Sequence, residues 1–327
     1  MAKFKKEPIE FKQERNFTQL LEAPFRFFTQ EFKPLFRTII RFAGPWVAIA
    51  MLAMIVFSNS LFQSINLGSQ FDETTIIYVA IFSFFYSIGF LATVVTTQSY
   101  ITLYVKNGKD KFVIEDVQEL IKKNVVKVFL AGLLVTLMFV VGIFLLYIPG
   151  IYIVVATGFF AVIIVFEEET IVTSISRSFK IIKGNWWITF ALILVFGMMV
   201  GTIMYIFIIP VYVVIFTTAI SGTTIGGGSV IVIVFSIILY FLAYVFYMAM
   251  LQMLYSFQYF NLVSKKEGVG LYERINAINK PKVKEDTIST EIKDSEENVD
   301  TSKVTNDIKE DNRFEDNNEH NRFKPKY

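Results

Sequence analysis

The chain has 327 residues, of which 54% are hydrophobic and 35 are Phe, with a formal net charge of +2 and a mean hydropathy of +0.52. A soluble domain is nearer half apolar, and the excess calls for lipid as solvent. There is no cysteine and the single histidine is His320. Disulfides, thiolate nucleophiles and thiolate metal sites are therefore excluded, and the apolar body lacks the commonest metal ligand and general base. No cofactor or metal is expected, and nothing points to a nucleic-acid partner.

Residues 1–33 are polar and charged, with Leu21, Phe25, Phe28 and Phe32 spaced to fall on one face of a helix over 17–33. The first apolar segment, 42–58, follows a polar stretch too long for a signal-peptide n-region, so it is expected to remain as a membrane anchor. The second, 75–105, carries neutral polar residues that include Thr97 and Gln98. A second amphipathic stretch, 112–125, places Val113, Val117, Leu120 and Ile121 on one face. Segments 128–148 and 150–166 are separated only by Ile148-Pro149-Gly150, which reads as a tight turn because proline lacks an amide proton and glycine tolerates unusual dihedrals. A broken helix at a transport site is the alternative reading of that tripeptide.

A third amphipathic stretch, 168–183, puts Ile171, Ile175, Phe179 and Ile182 on one face. Glu167-Glu168-Glu169 opens it, Arg177, Lys180 and Lys183 occupy its later turns, and it ends at Lys183-Gly184. Acids at its start and bases at its end complement the helix dipole, each contributing ~0.3–1 kcal/mol. The fifth segment, 186–219, contains Pro210, where a kink, tilt or early exit is expected; the sixth, 229–262, holds Gln252, Gln258 and Asn261.

All six segments are expected to be helices, because backbone groups in lipid must bond internally and about 20 residues cross the hydrocarbon layer. The 31 basic residues all lie in 1–41, 106–127, 177–183 and 265–326, and none in 59–74, 148–150 or 220–228. The positive-inside rule then places both termini in the cytoplasm. The amphipathic stretches recur before alternate crossings, and Leu120-Ile-Lys-Lys-Asn124 aligns with Ile181-Ile-Lys-Gly-Asn185. The expected fold is all-α: three transmembrane hairpins, each preceded by an interfacial elbow helix. The domain plan is a cytoplasmic segment 1–33, a membrane domain 34–264 and a cytoplasmic tail 265–327. That tail is too charged to bury a core, and its two Asn-Arg-Phe triplets, 312–314 and 321–323, read either as chance repetition or as a docking peptide for a cytoplasmic partner.

Within the crossings there is no Asp, Glu, Lys, Arg or His, which argues against ion-coupled transport. Thr97, Gln98, Gln252 and Gln258 read either as hydrogen bonds between helices or as the lining of a polar cavity. Catalysis would have to rest on the acids at 167–169, a weak basis, so no catalytic residue is assigned.

Pro149-Gly-Ile-Tyr152, Glu168, Ser176-Arg-Ser178, Lys183-Gly184 and Trp187, with Tyr259-Phe-Asn-Leu262 and Lys265-Lys-Glu-Gly268, resemble a bacterial family of six-helix membrane proteins. That family includes the membrane domain attached to some glycerophosphodiester phosphodiesterases. The resemblance covers about 110–270 and implies a bacterial cytoplasmic-membrane location without the catalytic domain. It makes Pro149, Gly150, Glu168, Arg177, Lys183 and Gly184 structural turn and elbow residues. The expected role is a non-enzymatic scaffold or accessory component, contacting lipids and other proteins through the elbows and the tail. A facilitator of an amphiphilic or lipid-like substrate is the alternative.

Overall fold

A computed structural model describes residues 8–67, 73–145, 147–222 and 226–268. The tail beyond 268, with both Asn-Arg-Phe triplets, lies outside the described residues. What is described is helical, without strands. The helices are α1 (Phe17–Phe42), α2 (Gly44–Leu67), α3 (Glu73–Asn107), α4 (Ile114–Leu145), α5 (Tyr147–Thr157), α6 (Phe160–Val162), a π-helical turn (Ile163–Glu167), α7 (Ile171–Ile182), α8 (Trp186–Ser221) and α9 (Gly227–Glu267).

Among the described residues, five helical segments are long and apolar enough to cross a membrane: Thr75–Asn107, Ile114–Leu145, Tyr147–Glu167, Trp186–Ser221 and Gly228–Glu267. A bent pair, α1 with α2, makes six if counted as one span. Consecutive helices pair most extensively, α2 with α3, α4 with α5 and α8 with α9, while α3 and α9 also pack against each other and against α1.

Local chemistry explains where the boundaries depart from expectation. Helix α1 begins with a capping box, Asn16 accepting from the Gln19 amide and Gln19 from the Asn16 amide, and it runs past 33 to Phe42. It bends by 61° into α2, where Pro45 stands at the second position and its ring opposes continuation of the preceding turn. Its protein-facing side is Leu20, Ala23, Pro24, Phe27, Glu31 and Leu35, one residue out of phase with the expected stripe; Phe32 is 40% exposed. The stretch 112–125 is no separate elbow: from Ile114 on it is the first third of α4, since no glycine or proline interrupts the chain between 114 and 131. Only 168–183 stands as a helix of its own, α7, capped by Thr170, whose hydroxyl accepts from the Thr173 amide.

Helix α4 ends at Leu145 and α5 begins at Tyr147, so the expected turn at 148–150 lies within α5. Pro149 sits in the first turn of α5, where a missing amide proton costs nothing. Gly150 serves close packing instead: a Cβ there would lie 2.7 Å from Ile143 Cγ1, and one on Gly142 would lie 2.9 Å from the Gly150 backbone. The interruption comes deeper, at 158–159 between α5 and α6. Gly158 lies against Tyr255, whose ring would meet an added Cβ at 2.6 Å. Helix α8 continues through Pro210 to Ser221 without the early exit that proline suggested.

Candidate functional site

Polar chemistry concentrates where α3, α7 and α9 end and α4 and α8 begin. Its buried half is built on α3 and α9. Gln98 donates to Gln252 Oε1 at 2.8 Å and accepts from Ser256 Oγ at 3.0 Å, and Ser256 also donates to the Gln252 carbonyl at 2.9 Å. Gln98 is 1% exposed and Gln252 9%. One turn on, Gln258 donates to Thr189 Oγ1 of α8 at 2.9 Å and accepts from Asn261 Nδ2 at 3.1 Å. Asn261 Oδ1 in turn accepts the Arg15 amide at 2.8 Å. Thr97 is fully buried, and its hydroxyl, like those of Thr96 and Ser99, has no hydrogen-bond partner.

The charged half surrounds the end of the π-helical turn. Arg177 of α7 pairs through Nε with Glu167 and through Nη2 with Glu267 of α9 at 3.2 Å, and the Tyr259 hydroxyl donates to Glu167. Burial opposes the Arg177 charge, yet the hydrogen bond and charge of Glu167 outweigh it and raise its pKa. Glu168 bridges Lys123 of α4 at 2.5 Å and Lys106 of α3 at 3.3 Å. Those lysines, Lys123 foremost, hold its carboxyl below the usual range against the opposing effect of burial. Glu168 adopts φ +62, in the left-handed region that costs a non-glycine residue ~1–3 kcal/mol. The conformation ends the π-helical turn and directs the chain back into α7.

Lys266 of α9 donates to the carbonyls of Lys180 at 3.0 Å and Lys183 at 2.7 Å, satisfying acceptors that the end of α7 would leave open. Gly184 follows at φ +85, with nothing within 4 Å of an added Cβ, so glycine is required there by conformation alone. Apart from these, Glu31 of α1, 1% exposed, accepts from the Tyr100 hydroxyl at 2.7 Å and pairs with Lys109 at 2.8 Å. That hydrogen bond raises the Lys109 pKa.

The structure thus brings Gln98 to Gln252, places Gln258 in a second network, and sets Glu168 and Arg177 in adjacent ion-pair clusters. Pro149 and Gly150 belong to the α4–α5 packing and not to this junction. Cavities of about 320 Å³, beside Pro8, Glu10, Arg15 and Glu22, and about 140 Å³, beside Arg37, Tyr100 and Asp110, are lined by neither Thr97, Gln98 nor Gln252. Among the described residues no three acidic or histidine side chains converge as a metal site would require. Two buried polar contacts have no counterpart in the sequence reading, although Ser178 stands in its Ser-Arg-Ser motif. Glu31 was the one acid on the apolar side of α1. Ser178 donates to the Ala156 carbonyl at 2.7 Å and accepts from the Phe159 amide at 3.3 Å, bridging the break between α5 and α6.

No protein-family model, curated protein or solved structure matches the chain. The resemblance to the phosphodiesterase-linked membrane domain therefore rests on its motifs alone.

Proposed function

We propose that the chain is a six-crossing integral membrane protein, in three hairpins led by the amphipathic α1, the amphipathic start of α4 and α7, that acts as a non-enzymatic scaffold or accessory component of a bacterial inner-membrane assembly. In this reading the segments before α1 and after α9 face the cytoplasm. The grouping of Lys106, Lys123, Arg177 and Lys266 at one end of the bundle supports that orientation. The observation that carries the scaffold role is the pairing of Gln98 with Gln252 and Ser256. Side chains that could have lined a substrate path hold helices together instead. The acids at 167 and 168 are likewise neutralised by Arg177, Lys106 and Lys123, which suits clasps better than catalysts.

Mild extraction of the tagged full chain from its native membrane is expected to recover a second protein at near-stoichiometric ratio. A reproducibly lone protein would remove the scaffold reading. One observation favours transport of a lipid-like substrate as a second reading: the interrupted helix at 158–159, a feature of carriers. Lipid scrambling by reconstituted protein, above that of protein-free vesicles, would shift the weight to it.

A further inference from the structure

Ahead of α1, residues 8–16 form an irregular strap folded onto the helical bundle. Its anchor is Phe11, 3% exposed. The Phe11 ring stacks on Phe257 of α9, with centroids 4.2 Å apart and planes 5° from parallel. It meets the edges of Phe27 of α1 at 5.2 Å, Phe260 of α9 at 5.7 Å and Tyr104 of α3 at 5.9 Å. Three helices therefore build one aromatic socket.

Polar side chains of the same helices read the strap's backbone. The Ile9 amide donates to the Tyr104 hydroxyl at 3.1 Å, and the Arg15 amide donates to Asn261 Oδ1 at 2.8 Å. The Arg15 guanidinium lies 4.9 Å from the Phe257 ring centroid and donates to the carbonyls of Phe11, at 3.0 Å, and Glu10. An aromatic anchor in a pocket, amides read by fixed side chains and a guanidinium on a ring are the contacts by which a receptor holds a peptide.

The strap is also internally opposed. Phe11 gains by leaving water. Arg15 is 7% exposed and, among the described residues, forms no ion pair with a carboxylate. Burial draws its pKa down to about 10, the sign of a charge held where it is disfavoured. Among the described residues, the one backbone–backbone hydrogen bond between the strap and a helix is the cap bond from the Leu20 amide to the Asn16 carbonyl, so a local opening need not break the helical bundle.

We propose that residues 9–15 are an intramolecular ligand: a releasable strap in a socket that recognises a bent segment carrying Phe and Arg four residues apart. When the strap leaves, the socket of Phe27, Tyr104, Phe257 and Phe260 opens, with Asn261 at its edge. This holds whether or not the chain is a scaffold, since it rests on contacts within the chain itself.

Trypsin cleavage after Arg15, in full-length protein held in lipid nanodiscs, measures the open population when opening and closing outpace cleavage. Native protein should be cut there with the helical signal intact and before Lys122 or Lys123 of α4. Phe11→Ala and Asn261→Ala should each accelerate the cut, Phe11→Ala about tenfold or more by the same population argument. A labelled peptide of residues 8–16 should bind the Phe11→Ala protein and be weakened by adding Asn261→Ala. Equal cleavage of native and Phe11→Ala protein would overturn the latch. Cleavage after Arg15 only in step with the α4 sites, or loss of the bundle in both variants, would show the segment to be fixed core and overturn release. Failure of the peptide to bind a folded Phe11→Ala protein would overturn recognition by the socket.

Discussion

The segment Tyr147–Glu167 and helix α8 are both apolar enough to cross a membrane, but they live in different solvents. In the first, 56% of the most apolar window is buried inside the protein; in α8 it is 17%. The buried segment is short and irregular, an α-helix that stops at Thr157, restarts at Phe160 and ends as a π-helical turn. Helix α8 runs unbroken for 36 residues, through Pro210, with Tyr205, Ile206, Tyr212, Val213 and Phe216 all exposed. Lipid offers no hydrogen-bond partner, so a lipid-facing helix must satisfy its own backbone, while an enclosed one can borrow partners from its neighbours. The hydroxyls agree: Thr202, Thr217 and Thr218 of α8 turn back to their own helix carbonyls, whereas Ser178 of α7 bonds across to the α5–α6 break.

The contrast breaks first at the glycines. Gly142→Val would drive a side chain into the Gly150 backbone, whose atoms already lie 2.9 Å from an ideal Cβ and cannot swing aside. We expect a loss of ~3 kcal/mol, the upper range for overpacking, read as a fall in the unfolding midpoint of detergent-solubilised protein. Gly201→Val on α8 meets nothing within 4 Å, and its effect should stay within ~1 kcal/mol, the scale of glycine's propensity difference. A similar loss at both positions would mean that α4 and α5 are not closely apposed. Next in size is Ser178→Ala, which strands the Phe159 amide and should cost ~1–3 kcal/mol, the penalty for a buried unpaired group. Thr202→Ala, whose hydroxyl only back-bonds to Met198, should change the midpoint by less than ~0.5 kcal/mol. Equal effects of the two would deny Ser178 its bridging role.

Long, lipid-facing segments were legible in the sequence because their physics is one-dimensional: an uninterrupted apolar run suffices to identify them. The positions of α8 and α9 followed from that alone. What the sequence concealed was decided by partners distant in the chain. Pro149-Gly150 looked like a turn, but its glycine answers to Gly142, and the actual break at 158–159 depends on Ser178 and Tyr255. The stripe on α1 was read one residue out of phase because that helix carries apolar residues on two adjacent faces. Phe28, Phe32 and Phe36 form an outer file ending on Phe246, while Phe27 and Leu35 face the core. Residue identity at the junction was partly visible: Glu168 and Arg177 stood out by charge. Their pairing did not, since Lys106, Lys123 and Glu267 lie 45 to 90 positions away.

The smallest expected effect tests whether the end of the enclosed segment is held by charge. Glu168 is stabilised as a carboxylate by Lys123 and then Lys106, so its folded pKa lies below the ordinary 4.5. A depressed acid contributes stability that is present above its unfolded pKa and lost as the pH falls through its folded value. Native protein should therefore lose a small part of its stability as the pH drops below 4.5. The Glu168→Gln variant lacks that step: it should be slightly less stable than native at pH 7 and converge with it in acid. The carboxylate is 43% exposed, so screening keeps the difference modest, and added salt should shrink it further. A native-minus-variant difference that stays constant from pH 7 to pH 3 would assign Glu168 to backbone geometry at φ +62 and not to the lysine clasp.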